Sequence, residues 1–431
     1  MSDFKPDDAN LSTELVTQWK DDFKFFRDTW HAWNAGYWQS LEFEEMQRSI
    51  RDFMTLQRTR GVKVNTDKVR SLEKMYRLDQ FVRQEVIDIE DKYLNLRNGL
   101  LNLETLELEE HRRDVYFTWQ LDFDYEPKAK SPTFWKYLES TFVHPDGTAD
   151  GDVIRLVLEA LGYSLTADTN LKASFWLRGE SNSGKSKLLT LLSNLMGNMH
   201  TTIDLNQLGT NKFMLAKLAG KRVVTCAEAA VNHIIPDAIY KILVGGSDQI
   251  FADVKNKTAI TFVPKTKVWW AMNDAPRTVD RSGAMLNRIH IIPFTRVVPA
   301  ESRDVLLDSK LFAERSGILN LALRGLKTLR ANGNNFKEPE ISKLMREEYR
   351  LMNDTEQNFI NDCFFWDIEF MYAANVLYSD YKSWCHDNGF SPKNIRQVAK
   401  DWERLGLLKV ERAEGNYWKG IRPKNAKEQL F

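Results

Sequence analysis

The sequence predicts an α/β protein: a largely parallel sheet at the centre, an N-terminal α+β or helical region before it, and a winged-helix-like C-terminal module after it. Three observations lead there. Between residues 169 and 300, β-rich runs (Ser174 to Leu177, Arg222 to Cys226, Lys267 to Met272, Ile289 to Pro293) alternate with helical stretches, the rhythm of strands joined by crossovers. From Thr133 to Leu165 the pattern is helical, with Ile154, Val157, Leu158 and Leu161 spaced along one helix face. After Pro299 the helical period returns, and Tyr378 to Arg422 reads as a small module of its own.

Composition sets the outer limits. The 431 residues are 43% hydrophobic and 28% charged, which excludes a disordered, collagenous or bare coiled-coil chain. Sixty Lys+Arg balance sixty Asp+Glu, so any attraction to nucleic acid has to come from a local patch. Cys226, Cys363 and Cys385 lie far apart, with no histidine at zinc-like spacing, which argues against a disulfide framework or a metal cluster. Neither a signal-like apolar segment nor a membrane-length apolar run occurs, so the expected location is cytoplasmic, with no membrane partner.

Residues 1–130 read as an N-terminal accessory domain. Trp30, Trp33 and Trp38 surround the turn Asn34-Ala35-Gly36, predicting a hairpin, and a helix follows near Glu42 to Gln57. Aromatics clustered this way belong to a core more often than to a stacking surface. Alternating runs around Asn98-Gly99 and Glu104-Thr105 fill Tyr93 to Tyr125, and Glu126-Pro127 with Ser131-Pro132 mark a boundary. Residues 131–168 form a helical linker or collar, 169–300 the core, 301–355 a helical extension and 356–431 the C-terminal domain.

In that last domain Tyr378 to Asp387 is helical in pattern. Ser391-Pro392, as N-cap and first-turn proline, opens a second helix from Lys393 to Leu405. Leu408 to Arg422 is a strand-turn-strand around Glu414-Gly415-Asn416. Lys393, Arg396, Lys400 and Arg404 lie on or near the second helix, which reads equally as a DNA-binding helix or as a solvated or protein-docking one.

The chemistry concentrates in Gly179-Glu180-Ser181-Asn182-Ser183-Gly184-Lys185-Ser186, a match to G-x-x-x-x-G-K-[ST] between the strand-like Phe175-Trp176-Leu177 and a helix that Gly197 ends. Such a loop turns backbone N–H groups and a helix N-terminus onto phosphate oxygens. Lys185 then reaches the β- and γ-phosphates and the Ser186 hydroxyl ligates Mg²⁺. An ATP and Mg²⁺ site is the expectation. The apolar run Lys221 to Cys226 leads to Glu228, the candidate acid for the Mg²⁺ shell and the attacking water. Ala227 stands where many such enzymes carry a second acid. A third apolar strand, Lys267 to Met272, ends in Asn273, whose amide would reach the γ-phosphate or the water. Arg288, just before the last strand, is a candidate to stabilise transition-state charge on a neighbouring protomer's nucleotide, with Arg281 as its competitor.

Between the acidic and Asn-bearing strands, Ile250 to Phe262 reads as a hairpin with Lys255 and Lys257 at its tip, suited to successive phosphates of a single strand. In this order the motifs resemble superfamily 3 helicases, specifically the poxvirus, phage and plasmid primase-helicase branch. The likeness runs from about Tyr93 onward through Leu161-Gly162-Tyr163-Ser164-Leu165, the P-loop, Leu218-Ala219-Gly220-Lys221-Arg222, Val244-Gly245-Gly246-Ser247-Asp248, the hairpin, Asn273, Leu286 to Phe294 and Ser316-Gly317-Ile318-Leu319-Asn320.

The resemblance implies a P-loop NTPase core of AAA+-like type in a homo-hexameric replicative helicase that hydrolyses ATP between subunits and moves on single-stranded and fork DNA. It implies Lys185 and Ser186 on nucleotide and Mg²⁺, Glu228 as Walker B acid, Asn273 as sensor, Arg288 as trans-acting finger, and Lys255 and Lys257 as DNA contacts. Some relatives carry a primase. Here Asp122-Phe123-Asp124 has D-x-D spacing but sits in the stretch matching the family's linker, so a primase or polymerase domain is expected elsewhere in a longer chain or in another one. The competing expectation is an ATP-gated initiator or loader that binds DNA without travelling.

Overall fold

In the computed structural model, which describes residues 7–204, 211, 213–226, 235–246, 248–255, 259–276, 278 and 283–424, separate hydrophobic cores form around the N-terminal region, the central sheet and the C-terminal module. The first unit comprises α1 (Asp8–Trp19), β1 (Phe23–Phe26), β2 (Thr29–Asn34), β3 (Tyr37–Leu41), α2 (Phe43–Leu56) and α3 (Thr66–Asp79). Local chemistry fixes the helix starts. Asp7 and Asn65 cap α1 and α3 by accepting from Asn10 N and Lys68 N, and Glu42 with Glu45 forms a capping box on α2. The predicted turn at Ala35-Gly36 joins β2 to β3, with both residues at positive φ (43° and 118°), and β1 adds a strand the sequence reading did not contain. Trp30 and Trp38 are fully buried, and Trp30 stacks on Tyr76 while donating to Glu73 at 2.9 Å.

The antiparallel β4 (Tyr93–Leu96), β5 (Gly99–Asn102) and β6 (Leu108–Glu109) share one core with α4 (Pro132–Thr141) and α5 (Gly151–Leu165). The composition break near residue 130 is therefore a change of element type within a continuous core. The central elements follow as β7 (Ser174–Gly179), α6 (Lys185–Met196), β8 (His200–Ile203), β9 (Val223–Cys226), α7 (Asp237–Gly245), β10 (Ile250–Ala252), β11 (Ile260–Phe262), β12 (Lys267–Met272) and β13 (Ile289–Phe294). Five of these strands form a parallel sheet in the order β13-β7-β12-β9-β8. The four predicted strands are all in it. The fifth, β8, reads His-Thr-Thr-Ile, too polar for an apolar-run signal; it pairs with β9, and Thr225 Oγ1 shares hydrogen bonds with His200 Nε2 (2.8 Å) and Thr202 Oγ1 (3.1 Å).

Helices α8 (Leu307–Ala313), α9 (Arg315–Ala331) and α10 (Glu340–Met352) complete the unit. Strand alternation divides the sheet between two cores. Phe175, Leu177, Trp269 and Ala271 pack with α5 and α6, whereas Trp176, Val268, Trp270 and Met272 pack with α7 and with Tyr349 of α10. Helices α5 and α9 touch at two glycines: a Cβ on Gly162 would lie 2.4 Å from Ala322 O, and one on Gly325 would lie 2.0 Å from Leu158 O. At the far end of α5 two buried basic side chains close the helix. Arg222 donates to Leu165 O (2.6 Å) and Lys267 to Thr166 O, where the helix dipole is negative. Their burial lowers both pKa values, Arg222 to about 10 and Lys267 well below the usual lysine range.

The C-terminal module holds α11 (Thr355–Cys363), β14 (Phe364–Ala373), α12 (Ala374–Asp387), α13 (Ile395–Arg404), β15 (Leu408–Arg412) and β16 (Gly415–Pro423), with an antiparallel sheet ordered β14-β16-β15. Two predicted details change. The second helix starts at Ile395, because Asn394 and not Ser391 caps it, accepting from Arg396 N and Gln397 N at 3.1 Å each. Strand β14 also joins the expected pair.

Candidate nucleotide site

The loop after β7 takes the shape its glycines allow. Gly179 has no room for a side chain, since a Cβ would meet Phe294 O at 2.0 Å, and Asn182 and Gly184 adopt left-handed φ values of 63° and 101°. Helix α6 begins at Lys185, which aims the helix N-terminus into the loop. Ser183 Oγ donates to Glu180 O (2.7 Å), Val298 N to Asn182 O (3.0 Å) and Tyr137 Oη to Gly184 O (3.1 Å), so the loop is braced from inside and from two neighbours.

Lys185 is 5% exposed. Its Nζ donates to Gly179 O (2.6 Å), Glu180 O (2.7 Å) and Asn273 Oδ1 (2.8 Å), while Asn273 Nδ2 donates to Ser181 Oγ (3.2 Å). The structure thus brings together Lys185, the loop and Asn273 at the C-terminal edge of two adjacent strands, β7 and β12. Ser186 lies exposed in the first turn of α6. A cramped glycine, left-handed loop residues, a helix N-terminus, a buried ammonium and a nearby hydroxyl form a donor set that fits a Mg²⁺-triphosphate. When bound, the metal neutralises phosphate charge.

Glu228, Lys257 and Arg281 lie outside the described residues. Strand β9 is described as far as Cys226, which pairs with Trp270 of β12. The predicted hairpin forms from β10 and β11, with Ile250 opposite Phe262, and Lys255 is exposed beyond β10. Arg288 lies at the opposite edge of the sheet from the loop. Its carbonyl accepts from Ser174 Oγ (2.7 Å), so the length of β7, about 17 Å at a strand's rise, separates it from Gly179. Its guanidinium donates to Ala284 O.

Other motifs resolve into struts. Ser164 Oγ accepts from Trp269 Nε1 (2.9 Å), Gly246 ends α7 at φ 65°, and Asn320 donates to Glu126 O (2.8 Å) and Ala129 O (3.0 Å). Both D-x-D carboxylates are in ion pairs: Asp124 with Arg97 through two bonds (2.8 and 2.9 Å), Asp122 with Arg315. Among the described residues no group of three His, Cys, Asp or Glu is placed to hold a metal. In the C-terminal module Lys393 pairs with the fully buried Glu356 (3.3 Å) and with Asp401, and Arg404 pairs with Asp354 (3.0 Å). Arg396 and Lys400 stay exposed. Sequence reasoning missed Tyr137, whose helical spacing signals only a core position, and Arg178, which lines a cavity of about 500 Å³ beside the loop together with Asn273 and Met345.

The fold and this loop give the class: an α/β protein with a five-stranded parallel sheet, consistent with a P-loop-like NTPase fold. Comparison with known proteins narrows it. A family described as D5 N terminal like matches residues 13–143, and a family of unknown function (DUF5906) matches residues 177–288. "Putative helicase V13" of Sputnik virophage is 22% identical over 369 residues, 77% of this chain and 45% of that protein. "Putative helicase L207/L206" of Acanthamoeba polyphaga mimivirus is 27% identical over 265 residues, 53% of this chain and 27% of that protein. The chain spans less than half the length of either relative. The A-form apo structure of the NrS-1 C-terminal region shares its fold, with a TM-score of 0.55 at 12% identity over 97% of this chain and 100% of that one; another A-form apo structure of it (residues 305–718) gives 0.56 at 12% identity over 96% and 100%. The family match and the two viral relatives support a phage and viral primase-helicase type for this chain. The first family match reaches back to residue 13, well before Tyr93, where the sequence resemblance begins. Among the described residues no helix is long and apolar enough to cross a membrane.

Proposed function

We propose that the chain is the ATP-driven motor of a replicative DNA helicase. It works as a homo-hexameric ring of superfamily 3 and AAA+ type, translocating on single-stranded DNA and unwinding the duplex at a fork. The observation that carries this reading is the contact of Lys185 with Asn273, which joins a phosphate loop to the end of the strand that follows a lysine-tipped hairpin. Lys185 and the loop from Gly179 to Ser186 hold the triphosphate, and Ser186 with Glu228 holds Mg²⁺. Glu228 and Asn273 orient the water that attacks the γ-phosphorus, breaking its bond to the bridging oxygen and releasing ADP and phosphate. Arg288 acts on a neighbour's nucleotide, a role its distance from its own loop supports. Lys255 and Lys257 grip the DNA backbone in the ring's channel, where six copies concentrate charge in a neutral protein. The C-terminal module is a winged helix. Lys393 and Arg404 serve its internal packing, leaving Arg396 and Lys400 for any DNA contact. A primase or polymerase domain accompanies the motor in the same chain or a partner, and the site of action is the cytoplasm.

A strand-displacement assay with single-strand-stimulated ATP turnover tests the proposal. Lys185→Ala abolishes both, and Lys255→Ala with Lys257→Ala abolishes unwinding and stimulation while unstimulated turnover persists. Unwinding that survives Lys185→Ala overturns it. A wild-type chain that binds origin DNA without unwinding duplex, and keeps that binding after the double-lysine loss, supports a stationary initiator instead.

A further inference from the structure

Arg178 breaks an apolar pattern. It follows Trp176 on the same face of β7, between Met272 of β12 and Pro293 of β13, where its neighbours on that face include Trp176, Val268, Trp270, Met272 and Ile291, with Ser174 at the far end of the strand. An arginine at the end of a central strand, under an otherwise greasy face, calls for a polar target. Its guanidinium offers five donors. Among the described residues its one polar contact is Glu348 Oε2 of α10, at 3.4 Å, a long pair to a side chain that is 66% exposed while Arg178's own is 20% exposed. The cavity beside it is walled by Gly179, Glu180, Ser181, Asn273, Asp274 and Met345, so Arg178 is the cation facing two carboxylate-bearing residues there. Ser181 and Asn273 are bonded to each other, and Asn273 to the Lys185 ammonium, so this cavity adjoins the place where the loop would carry a terminal phosphate.

We propose that Arg178 is a phosphate-sensing residue acting within its own subunit: on nucleotide entry it exchanges Glu348 for the terminal phosphate, and so distinguishes a triphosphate from a diphosphate. A planar fork suits this task, because guanidinium and phosphate pair through two parallel hydrogen bonds, and the weak pair with Glu348 costs little to give up. The proposal rests on the nucleotide reading of the loop and assigns Arg178 a role distinct from that of Lys185, which faces the carbonyls of the loop itself.

The test is equilibrium binding of a fluorescent non-hydrolysable ATP analogue and of fluorescent ADP, both with Mg²⁺, to the full chain. Arg178→Gln should weaken the ATP analogue at least tenfold and leave ADP within about twofold, Arg178→Lys should recover part of the loss, and Glu348→Gln should leave the ATP analogue at least as tight as wild type. Thermal melting of each nucleotide-free variant reports folding. Equal loss of both nucleotides on Arg178→Gln, or loss of neither, overturns the proposal, and so does an Arg178→Gln defect that tracks the melting temperature. A wild-type chain that binds neither nucleotide overturns the nucleotide site itself. Binding of both that Lys185→Ala leaves intact overturns only the assignment of Lys185.

Discussion

Replacing Gly325 by alanine puts a methyl group where another helix's backbone already is. The new Cβ would sit 2.0 Å from Leu158 O and 2.2 Å from Leu158 C, against an ordinary carbon-to-oxygen approach of about 3.3 Å. Nothing there is a flexible side-chain end, so α5 and α9 must separate by about an ångström along their tightest contact. Two terms favour the substitution: helix propensity improves by about 1 kcal/mol, and a buried methyl adds about 0.8 kcal/mol. Against them stands overpacking, at about 1–3 kcal/mol where side chains can adjust and more where only backbone can move. The clash wins, with a net loss of about 2 kcal/mol, or a fall in melting temperature of about 4–8 °C for a unit of this size. Calorimetry of the nucleotide-free protein measures it. Gly151→Ala is the control, since that helical glycine has nothing within 4 Å of its Cβ and should melt at or slightly above wild type. If Gly325→Ala melts no lower than wild type, the account of the α5 and α9 contact is wrong.

Three further outcomes are expected. Asn273→Ala removes a side-chain acceptor at 2.8 Å from Lys185 while the Gly179 and Glu180 carbonyls remain, so steady-state turnover should fall about 10²- to 10³-fold with KM changed only a few-fold. A rise in KM without a fall in kcat would place Asn273 in ground-state binding. Lys393→Met takes the paired cation away from the buried Glu356 and should cost the C-terminal module about 3 kcal/mol in denaturant titrations, whereas loss of duplex binding at unchanged stability would return Lys393 to a DNA surface. Burial holds the His31 and His200 imidazoles at about 4, below the ordinary 6.5, so both must be neutral in the folded state. Their contribution is complete above pH 6.5 and is lost as pH falls towards 4. Allowing for the solvent that still reaches both rings, the loss is on the order of 2 kcal/mol. Melting temperatures across that range check the sign, and His200→Asn should flatten the profile.

The phosphate loop was legible because its chemistry is local: glycines, lysine and serine at fixed spacing in eight consecutive residues. Four sheet strands were legible because each is an apolar run buried on both faces. Strand β8 escaped because an edge strand needs no apolar run, and β14 because its exposed Phe365, Trp366 and Ile368 give no alternation to read. Asn273 was singled out by the order of motifs as an amide for the γ-phosphate or the water, but its bond to Lys185 depends on β12 lying beside β7, which spacing along the chain does not encode. The same limit hid Tyr137 and Arg178. The basic residues of the second C-terminal helix were open to two readings because charge on a helix face does not announce its partner; Lys393 and Arg404 pair with Glu356 and Asp354, 37 and 50 residues away.

Strand β12 presents a tryptophan to each of the two cores, Trp269 to one and Trp270 to the other. A slip of one residue would swap them and still supply each layer with an indole, so bulk alone does not lock the strand's alignment. The lock is at its polar ends, with Lys267 seated on the last carbonyls of α5 and Asn273 on the loop lysine. A one-residue insertion or deletion between them would leave the volume of the interior almost unchanged while unseating either the anchor or the amide, so the run from 267 to 273 has a length that cannot drift even where its identities can.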